Sequence, residues 1–362
     1  MAHSFPAHTA AGAAGAGVEP PKSNDQRDPS RPAISENLQR DITRHQYAQE
    51  HILQSYDLYV PELDSPHLSD TKSKIWILYI HGGYFRDPTV SSSSFYPALA
   101  RLVATKAKSN GRHLHHVKHH MPSPDETDIT PCVAGYASIN YRLSPDPQKS
   151  PQDPASTSGY ELRTAKWPDH LHDVLTAIAH LQAKYGFGER YLLVGHSVGA
   201  TMALLSTIAA KEGLTTSPSS VSPLPRIEPP LAVLGVSGIY DFPALHESVS
   251  SYVELTRNAI PDVRDDKLAS PARHKKAEYI DVWAQGRRRA LVMAHSKDDG
   301  WVDWRQVEEM RDVFAQVEDS ASTEIDLRIV ELNGSHNDIW EKGTELARAI
   351  RESVAILRSL ED

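Results

Sequence analysis

Between residues 192 and 201 the chain reads LLVGHSVGAT: an apolar run suited to a buried strand, a serine between two glycines, then small residues leading into a helical pattern. No other stretch restricts the fold so tightly. An ordinary strand-to-helix connection needs at most one glycine, followed by a capping residue. Gly195 and Gly199, placed symmetrically about Ser197, suit a turn so sharp that side chains two positions from its centre would collide. Such an elbow presents a serine hydroxyl at the edge of a sheet. Chemistry there requires a base, an acid and a site for a developing oxyanion.

The alternation around the elbow sets the fold class. QSYDLYVP and SKIWILYI are strand candidates, the second a near-continuous apolar run of the kind found in strands buried on both faces. After a Gly-Gly turn, FYPALARLVATKA has helical spacing, and CVAGYASINYRL is a further strand. WPDHLHDVLTAIAHLQAKYG is the clearest helix, with a proline in its first turn, Asp169 and Asp173 early, and apolar residues at 171, 174, 175, 178 and 181. RYLLVG, LAVLGVSGIY, RALVMAHS and DLRIVEL add strands; VGATMALLSTIAAKEG, DWRQVEEMRDVFAQV and the closing EKGTELARAIRESVAILRSLE add helices. This spacing predicts an α/β domain on a mostly parallel, doubly wound sheet with helices on both faces. Residues 1–35 are expected to be a disordered tail and 36–362 a single domain. Surface insertions are expected near 104–131, 144–160 and 215–230, where turn- and proline-rich sequence replaces the core pattern.

Composition closes off several roles. Net charge is −9 and the longest basic run is Arg287-Arg288-Arg289, so a nucleic-acid partner is not expected. No stretch approaches the ~20 apolar residues of a membrane helix, and no membrane partner is expected. The segment MAHSFPAHTAAGAAGAGVEPP lacks the basic and strongly apolar regions of a secretory signal. A single cysteine, Cys132, excludes an internal disulfide and fits a reducing, cytoplasmic setting. Its place before VAGYASI reads as a strand residue. Five histidines crowd into HLHHVKHH, but without aspartate or cysteine partners at ligand spacing they read as a solvated loop rather than a metal site. The expected partner is a small-molecule substrate, with a homodimer left open.

A serine hydroxyl is a weak nucleophile until a base takes its proton. Among nineteen histidines, His336 in VELNGSHNDIW stands out, because it follows the last predicted strand by a glycine-containing turn and precedes the last helix. The acid that would hold the imidazole's tautomer should follow the preceding strand, where ALVMAHSKDDGWVDW offers Asp298, Asp299 and Asp303. HSKDDGWV resembles the hydrolase pattern His-Gly-x-x-Asp-x-x-Val with Ser296 in place of the glycine, which selects Asp299 and leaves Asp298 as the alternative. Helix capping ahead of WRQVEEM is the competing role for Asp299 and Asp303. IHGGYFRDP follows a buried strand, and the N–H groups of Gly82, Gly83 and Tyr84 could supply one side of an oxyanion site. Val198, just after the elbow serine, would supply the other.

Together, HGGYF, INYRLSP, WPDHLHDV, GHSVGA and NGSHNDIW resemble the α/β-hydrolases, on the branch of hormone-sensitive-lipase-like esterases. More closely they resemble the kynurenine formamidases, or arylformamidases, in their fungal form. The likeness covers roughly residues 50 to 360 apart from the insertions. The family's HGGxW motif and following Asn/Asp-Pro element correspond to HGGYFRDP, His81 to Pro88, with Phe85 where the family has tryptophan. GHSVGA departs from the GDSAGG of most lipase-like esterases, which favours the formamidase branch. The resemblance implies the α/β-hydrolase fold, triad positions at Ser197, Asp299 and His336, and no metal or organic cofactor. It also implies cleavage of N-formyl-L-kynurenine to kynurenine and formate, a step in tryptophan catabolism towards NAD. The leaving side would then take an aromatic ketone with an amino-acid tail. Tyr84, Phe85, Tyr240, Trp301, Trp304 and Trp340 are candidate walls, each equally suited to ordinary core packing.

Two rivals stand beside this reading. A broad carboxylesterase would share every catalytic residue, because fold and triad do not fix the substrate. A hydrolase-fold binding protein without turnover would typically lack a triad member. A structural Cys132 and metal-free chemistry predict that thiol alkylation of the native protein and exhaustive chelation each leave turnover unchanged. Loss on chelation, restored by zinc, would make the histidine run a metal site.

Overall fold

The strand candidates that read as unbroken apolar runs lie side by side at the centre of one eight-stranded sheet. The computed structural model describes residues 34–61, 74–104, 127–211, 224–315 and 324–361. The expected N-terminal tail, most of the 104–131 insertion with HLHHVKHH, and part of the 215–230 insertion lie outside the described residues.

The strands are β1 (Thr43–Gln46), β2 (Ser55–Tyr59), β3 (Ile75–Ile80), β4 (Val133–Ile139), β5 (Tyr191–His196), β6 (Ala232–Val236), β7 (Arg289–Ser296) and β8 (Ile325–Leu332). Their order across the sheet is β1-β2-β4-β3-β5-β6-β7-β8. β1 and β2 run antiparallel at one edge, and every pairing from β4 onward is parallel. The helices are α1 (Glu36–Asp41), α2 (Tyr96–Val103), α3 (Asp169–Tyr185), α4 (Val198–Thr207), α5 (Phe242–Ser248), α6 (Tyr252–Ala259), α7 (Asp265–Leu268), α8 (Lys276–Tyr279), α9 (Arg305–Ala315), α10 (His336–Glu341) and α11 (Thr344–Glu361). No described helix is long and apolar enough to cross a membrane.

Side-chain alternation divides the core in two. Trp76, Leu78 and Ile80 of β3 enter one cluster with Leu171 and Val174 of α3, Leu204 of α4 and Val307 of α9. Ile75, Ile77 and Tyr79 enter the other, with Leu99 of α2, Ile339 of α10 and Leu346 of α11. Helices therefore cover both faces, as the alternation predicts. Chain order reverses at β3, which has β4 on one side and β5 on the other. Ile80 and Gly195 are register partners there, so the loops leaving β3 and β5 emerge together at the carboxyl edge. A crevice at such a reversal is where open α/β sheets bind ligands.

Two segments depart from the sequence pattern. The 144–160 insertion contains no helix or strand, but side chains tether it: buried Arg86 donates to Asp146 Oδ1 at 2.6 Å, and Ser144 Oγ donates to the Ala165 carbonyl at 2.8 Å. Residues 242–279, left unassigned by the sequence pattern, form the short helices α5 to α8 between β6 and β7.

Asp173, placed by the sequence in the dipole-favoured first turns of α3, is fully buried. Its carboxylate accepts from the Arg142 backbone N–H (2.9 Å), Arg142 Nε and Nη2 (2.8 Å each) and Gln54 Nε2 (3.1 Å). It thus ties α3 to the chain leaving β4. Asp173→Ala should lower unfolding stability by about 3 kcal/mol, the cost of leaving a buried partner uncompensated. A shift in urea midpoint no larger than that of a surface substitution, about 0.5 kcal/mol, would contradict this role.

Candidate active site

β5 ends at His196 and α4 begins at Val198, leaving Ser197 alone to turn the chain. It does so at φ 56° and ψ −124°, a backbone conformation that costs an L-residue on the order of 1–3 kcal/mol. The glycines allow it. A Cβ on Gly195 would overlap the Gly199 carbonyl, and one on Gly199 would overlap the Ile80 carbonyl of β3. Backbone hydrogen bonds fix the turn: Ser197 N–H donates to Val236 O at 2.9 Å, and Ala200 N–H to Ser197 O at 3.0 Å.

His336 is the first residue of α10, behind Gly334 at φ 104°. Ser335 caps that helix, accepting from Asp338 N–H, while the Asp338 carboxylate accepts from Ser335 N–H. His336 Nδ1 lies 2.9 Å from both carboxylate oxygens of Asp299, and His336 N–H donates to the Asp299 carbonyl at 2.9 Å. A carboxylate only accepts, so the Nδ1 proton points at Asp299 and Nε2 is left to act as a base. Asp299 Oδ1 also accepts from Val302 N–H (2.8 Å) and Trp301 N–H (3.1 Å), which fixes the carboxylate's orientation. Burial alone would raise this carboxyl, but the hydrogen bond and charge of His336, aided by His295 and Val302, hold it at about 2. Its contribution to stability is therefore present above pH ~4, the unfolded value, and is lost as pH falls towards 2. Asp298 and Asp303 are exposed. Of the three candidates, Asp299 alone is brought to His336.

Elbow and histidine meet through His196. Its Nε2 donates to the His336 carbonyl at 3.2 Å and the two rings lie 4.6 Å apart. Ser197 Oγ itself makes no hydrogen bond among the described residues. Such contacts in substrate-free enzymes are commonly loose and tighten with substrate.

The loop after β3 crosses directly over the serine: a Cβ on Gly82 would lie 3.0 Å from Ser197 Cβ. Tyr141 holds this loop from below, its hydroxyl reaching the carbonyls of His81 (3.1 Å) and Gly82 (2.8 Å) and its ring stacking on His81 at 4.3 Å. Burial pushes His81 down to about 4, so it is neutral at pH 7. Gly83, Tyr84 and Phe85 all have positive φ, at 86°, 49° and 64°. For two bulky residues this is strained backbone. The N–H groups of Gly83, Tyr84 and Val198 donate to no acceptor among the described residues. Phe85, at the family's tryptophan position, is buried against His170 (4.7 Å), Phe242 (6.3 Å) and Trp167 (6.5 Å).

The aromatic candidates separate. Trp301 is 41% exposed and stacks on His336 at 5.6 Å and 12°. Tyr84 stacks on Tyr252 of α6 at 5.1 Å, and Tyr252 donates to the Trp301 carbonyl at 3.3 Å. Tyr240 is corrected from wall to core, since its buried ring fills space left by Gly235 and Gly238. Trp340 likewise belongs to the α10–α11 core cluster, and Trp304 packs edge-on against His295. Among the described residues no group of three His, Cys, Asp or Glu is placed to hold a metal.

Comparison with known proteins agrees with this geometry. A model of the alpha/beta hydrolase family matches residues 77–349. A kynurenine formamidase from Aspergillus versicolor is 32% identical over 295 residues, covering 76% of this chain and 87% of its own length. The chain belongs to the kynurenine formamidase family of alpha/beta hydrolases. A kynurenine formamidase-like hydrolase from Fusarium equiseti is 27% identical over 316 residues, covering 85% of this chain and 91% of its own. Among solved structures, esterase B from Lactobacillus rhamnosis aligns with TM-score 0.56 at 13% identity, covering 91% of this chain and 89% of that one. A hormone-sensitive lipase from a metagenome library gives 0.52, also at 13%, covering 88% and 86%. At that identity both show the fold alone.

This member of the formamidase family recruits residues that its sequence did not single out. Tyr141 sits in the quoted INYRLSP, but its role depends on reaching two carbonyls across the sheet edge. Tyr252 lies on a helix that buries only Thr256 and Ala259 and so has no apolar stripe to announce it by periodicity. Gly199→Ala should abolish activity and lower the melting temperature, because the added methyl cannot be seated without moving α4 off β3. Near-normal turnover and melting would show that the elbow is looser than its backbone contacts indicate.

Proposed function

We propose that the chain is a serine hydrolase cleaving the linear amide of N-formyl-L-kynurenine to L-kynurenine and formate. Ser197 Oγ attacks the formyl carbon as its proton passes to His336 Nε2, and the oxyanion is received by the N–H groups of Gly83, Tyr84 and Val198. Asp299 holds the imidazole's tautomer and stabilises the imidazolium. His336 then protonates the departing aniline nitrogen as the C–N bond breaks, leaving a formyl ester on Ser197. Water adds to that ester as His336 takes its proton; the bond to Ser197 Oγ then breaks, His336 returns the proton to Ser197, and formic acid leaves and ionises to formate. The aromatic surface of Tyr84, Tyr252 and Trp301 is suited to the aryl leaving group. The cycle calls on no metal or organic cofactor.

The observation that carries the reaction class is the two-oxygen contact of Asp299 with His336, at the sheet edge where the strained Ser197 turn emerges. What supports the substrate is membership of a family with a curated kynurenine formamidase at 32% identity.

Ser197→Ala should leave a folded protein with kcat reduced on the order of 10⁶-fold. Asp299→Asn should cost on the order of 10⁴-fold and Asp298→Asn far less. A tenth of normal turnover in the first variant, or the reverse ranking in the second pair, would remove those assignments. On substrates, kcat/KM for N-formyl-L-kynurenine should far exceed that for formanilide, which lacks the amino-acid tail, with N-acetyl-kynurenine cleaved poorly. Binding energy from remote groups is then used at the reacting bond. Equal values, or a preference for butyryl and longer esters, would favour a carboxylesterase.

A further inference from the structure

The short helices between β6 and β7 pack aromatic rings on the loop after β3 and hydrogen-bond to it through a side-chain oxygen, Thr256 Oγ1 of α6. Three hydrogen bonds meet there. The partners are the Tyr252 carbonyl at 2.8 Å, the Tyr84 hydroxyl at 2.8 Å and His246 Nε2 at 2.7 Å. A threonine hydroxyl has one proton and two lone pairs. The Tyr252 carbonyl can only accept, so the Thr256 proton goes to it, and both other partners must donate. Tyr84 therefore gives its hydroxyl proton to Thr256, and His246 carries a proton on Nε2. The hydroxyl's capacity is then filled, in a side chain only 1% exposed.

The node is backed from behind. His246 Nδ1 faces the Asp266 carboxylate at 3.7 Å, Asp266 is paired with Arg257, and Arg257 Nη1 donates to the Ile260 carbonyl at 2.8 Å. In front of it stands the strained part of the loop. Tyr141 secures His81 and Gly82, and Ser144 N–H donates to the Phe85 carbonyl at 2.8 Å. Between these anchors, the side chain of Tyr84 has one hydrogen bond, to Thr256, and its ring stacks on Tyr252 of the same helix. α6 thus holds Tyr84, a loop residue with strained φ whose N–H donates to no acceptor among the described residues.

We propose that Thr256 is a positioning residue for the reaction: through the Tyr84 hydroxyl it fixes the amides that receive the oxyanion, so that α6 and the loop act as one unit. This rests on the serine-hydrolase reading above.

Three variants test it: Thr256→Val, which keeps the shape and removes the node; Thr256→Ser, which keeps the hydroxyl; and Tyr84→Phe, which deletes only the donor. Each is assayed for kcat and KM with p-nitrophenyl acetate. Each is also assayed for the rate at which diethyl p-nitrophenyl phosphate inactivates it, since that reaction builds charge in the same oxyanion site without depending on the natural substrate. Thr256→Val and Tyr84→Phe should each lower kcat and the inactivation rate by about 10- to 100-fold, with KM within about threefold, as expected for a displacement of order 1 Å. The double variant should be no worse than the singles, and Thr256→Ser should recover most of the loss. Wild-type kcat in Tyr84→Phe, additive losses, or a deficit in Thr256→Val that serine does not recover would overturn the proposal. If the wild-type enzyme turns over yet resists the phosphate reagent, the serine reading itself fails, and this proposal with it.

Discussion

A carbonyl oxygen of β3 occupies the place where a side chain on Gly199 would have to go. Because nothing larger than hydrogen stands there, α4 packs backbone to backbone on β3 and β5, and the chain has one residue in which to turn. That residue is Ser197, forced to φ 56° and projected over the carboxyl edge of the sheet. The same closeness brings the loop after β3 across the serine, with Gly82 against its Cβ. The elbow serine and the loop that crosses it are thus placed by one packing constraint. The strain is local, and the sheet, paired along β4 to β8, is large enough to sustain it.

Proton bookkeeping links the remaining parts. Asp299 receives Nδ1–H of His336, which leaves Nε2 free; His196 receives nothing on Nδ1 but donates through Nε2 to the His336 carbonyl. His196 is buried and held well below its usual value, chiefly by burial and then by His336, so it is neutral and anchors backbone rather than exchanging protons. Two histidines in ring contact therefore have different tasks, decided by which partners can only accept. Tyr141 and Thr256 follow the same logic on the loop, with hydroxyl protons directed to fixed carbonyls below and one accepted from Tyr84 above.

The parts legible in the sequence are those whose physics is local. Strands buried on both faces must be apolar throughout, so Ile75–Ile80, Tyr191–His196 and Arg289–Ser296 declared themselves, and Gly195 and Gly199 announced a turn before any fold was assumed. Thr43–Gln46 did not, because a four-residue edge strand with no buried residue has no hydrophobic pattern to show. Short helices such as Asp265–Leu268, which buries only Asp265 and Asp266, and Tyr252–Ala259, which buries only Thr256 and Ala259, carry no apolar stripe for a 3.6-residue period to register. Asp173 looked like a dipole partner, since the sequence could not show that Arg142 comes to it from the end of β4. Tyr240 and Trp301 were equal candidates as aromatic residues near strand ends. Only packing separates the one under Gly235 from the one stacked on His336.

The central claim is that the strained serine becomes acylated. Acid quenching during steady turnover of p-nitrophenyl acetate, followed by peptide mass spectrometry, tests it directly. The proposed mechanism predicts one acetyl group, on the peptide that contains Gly195 to Gly199 and at Ser197, formed as fast as the first turnover. An enzyme that releases nitrophenol catalytically while its acetyl group maps to another residue, or while no acyl-enzyme forms even when deacylation is slowed, would contradict it.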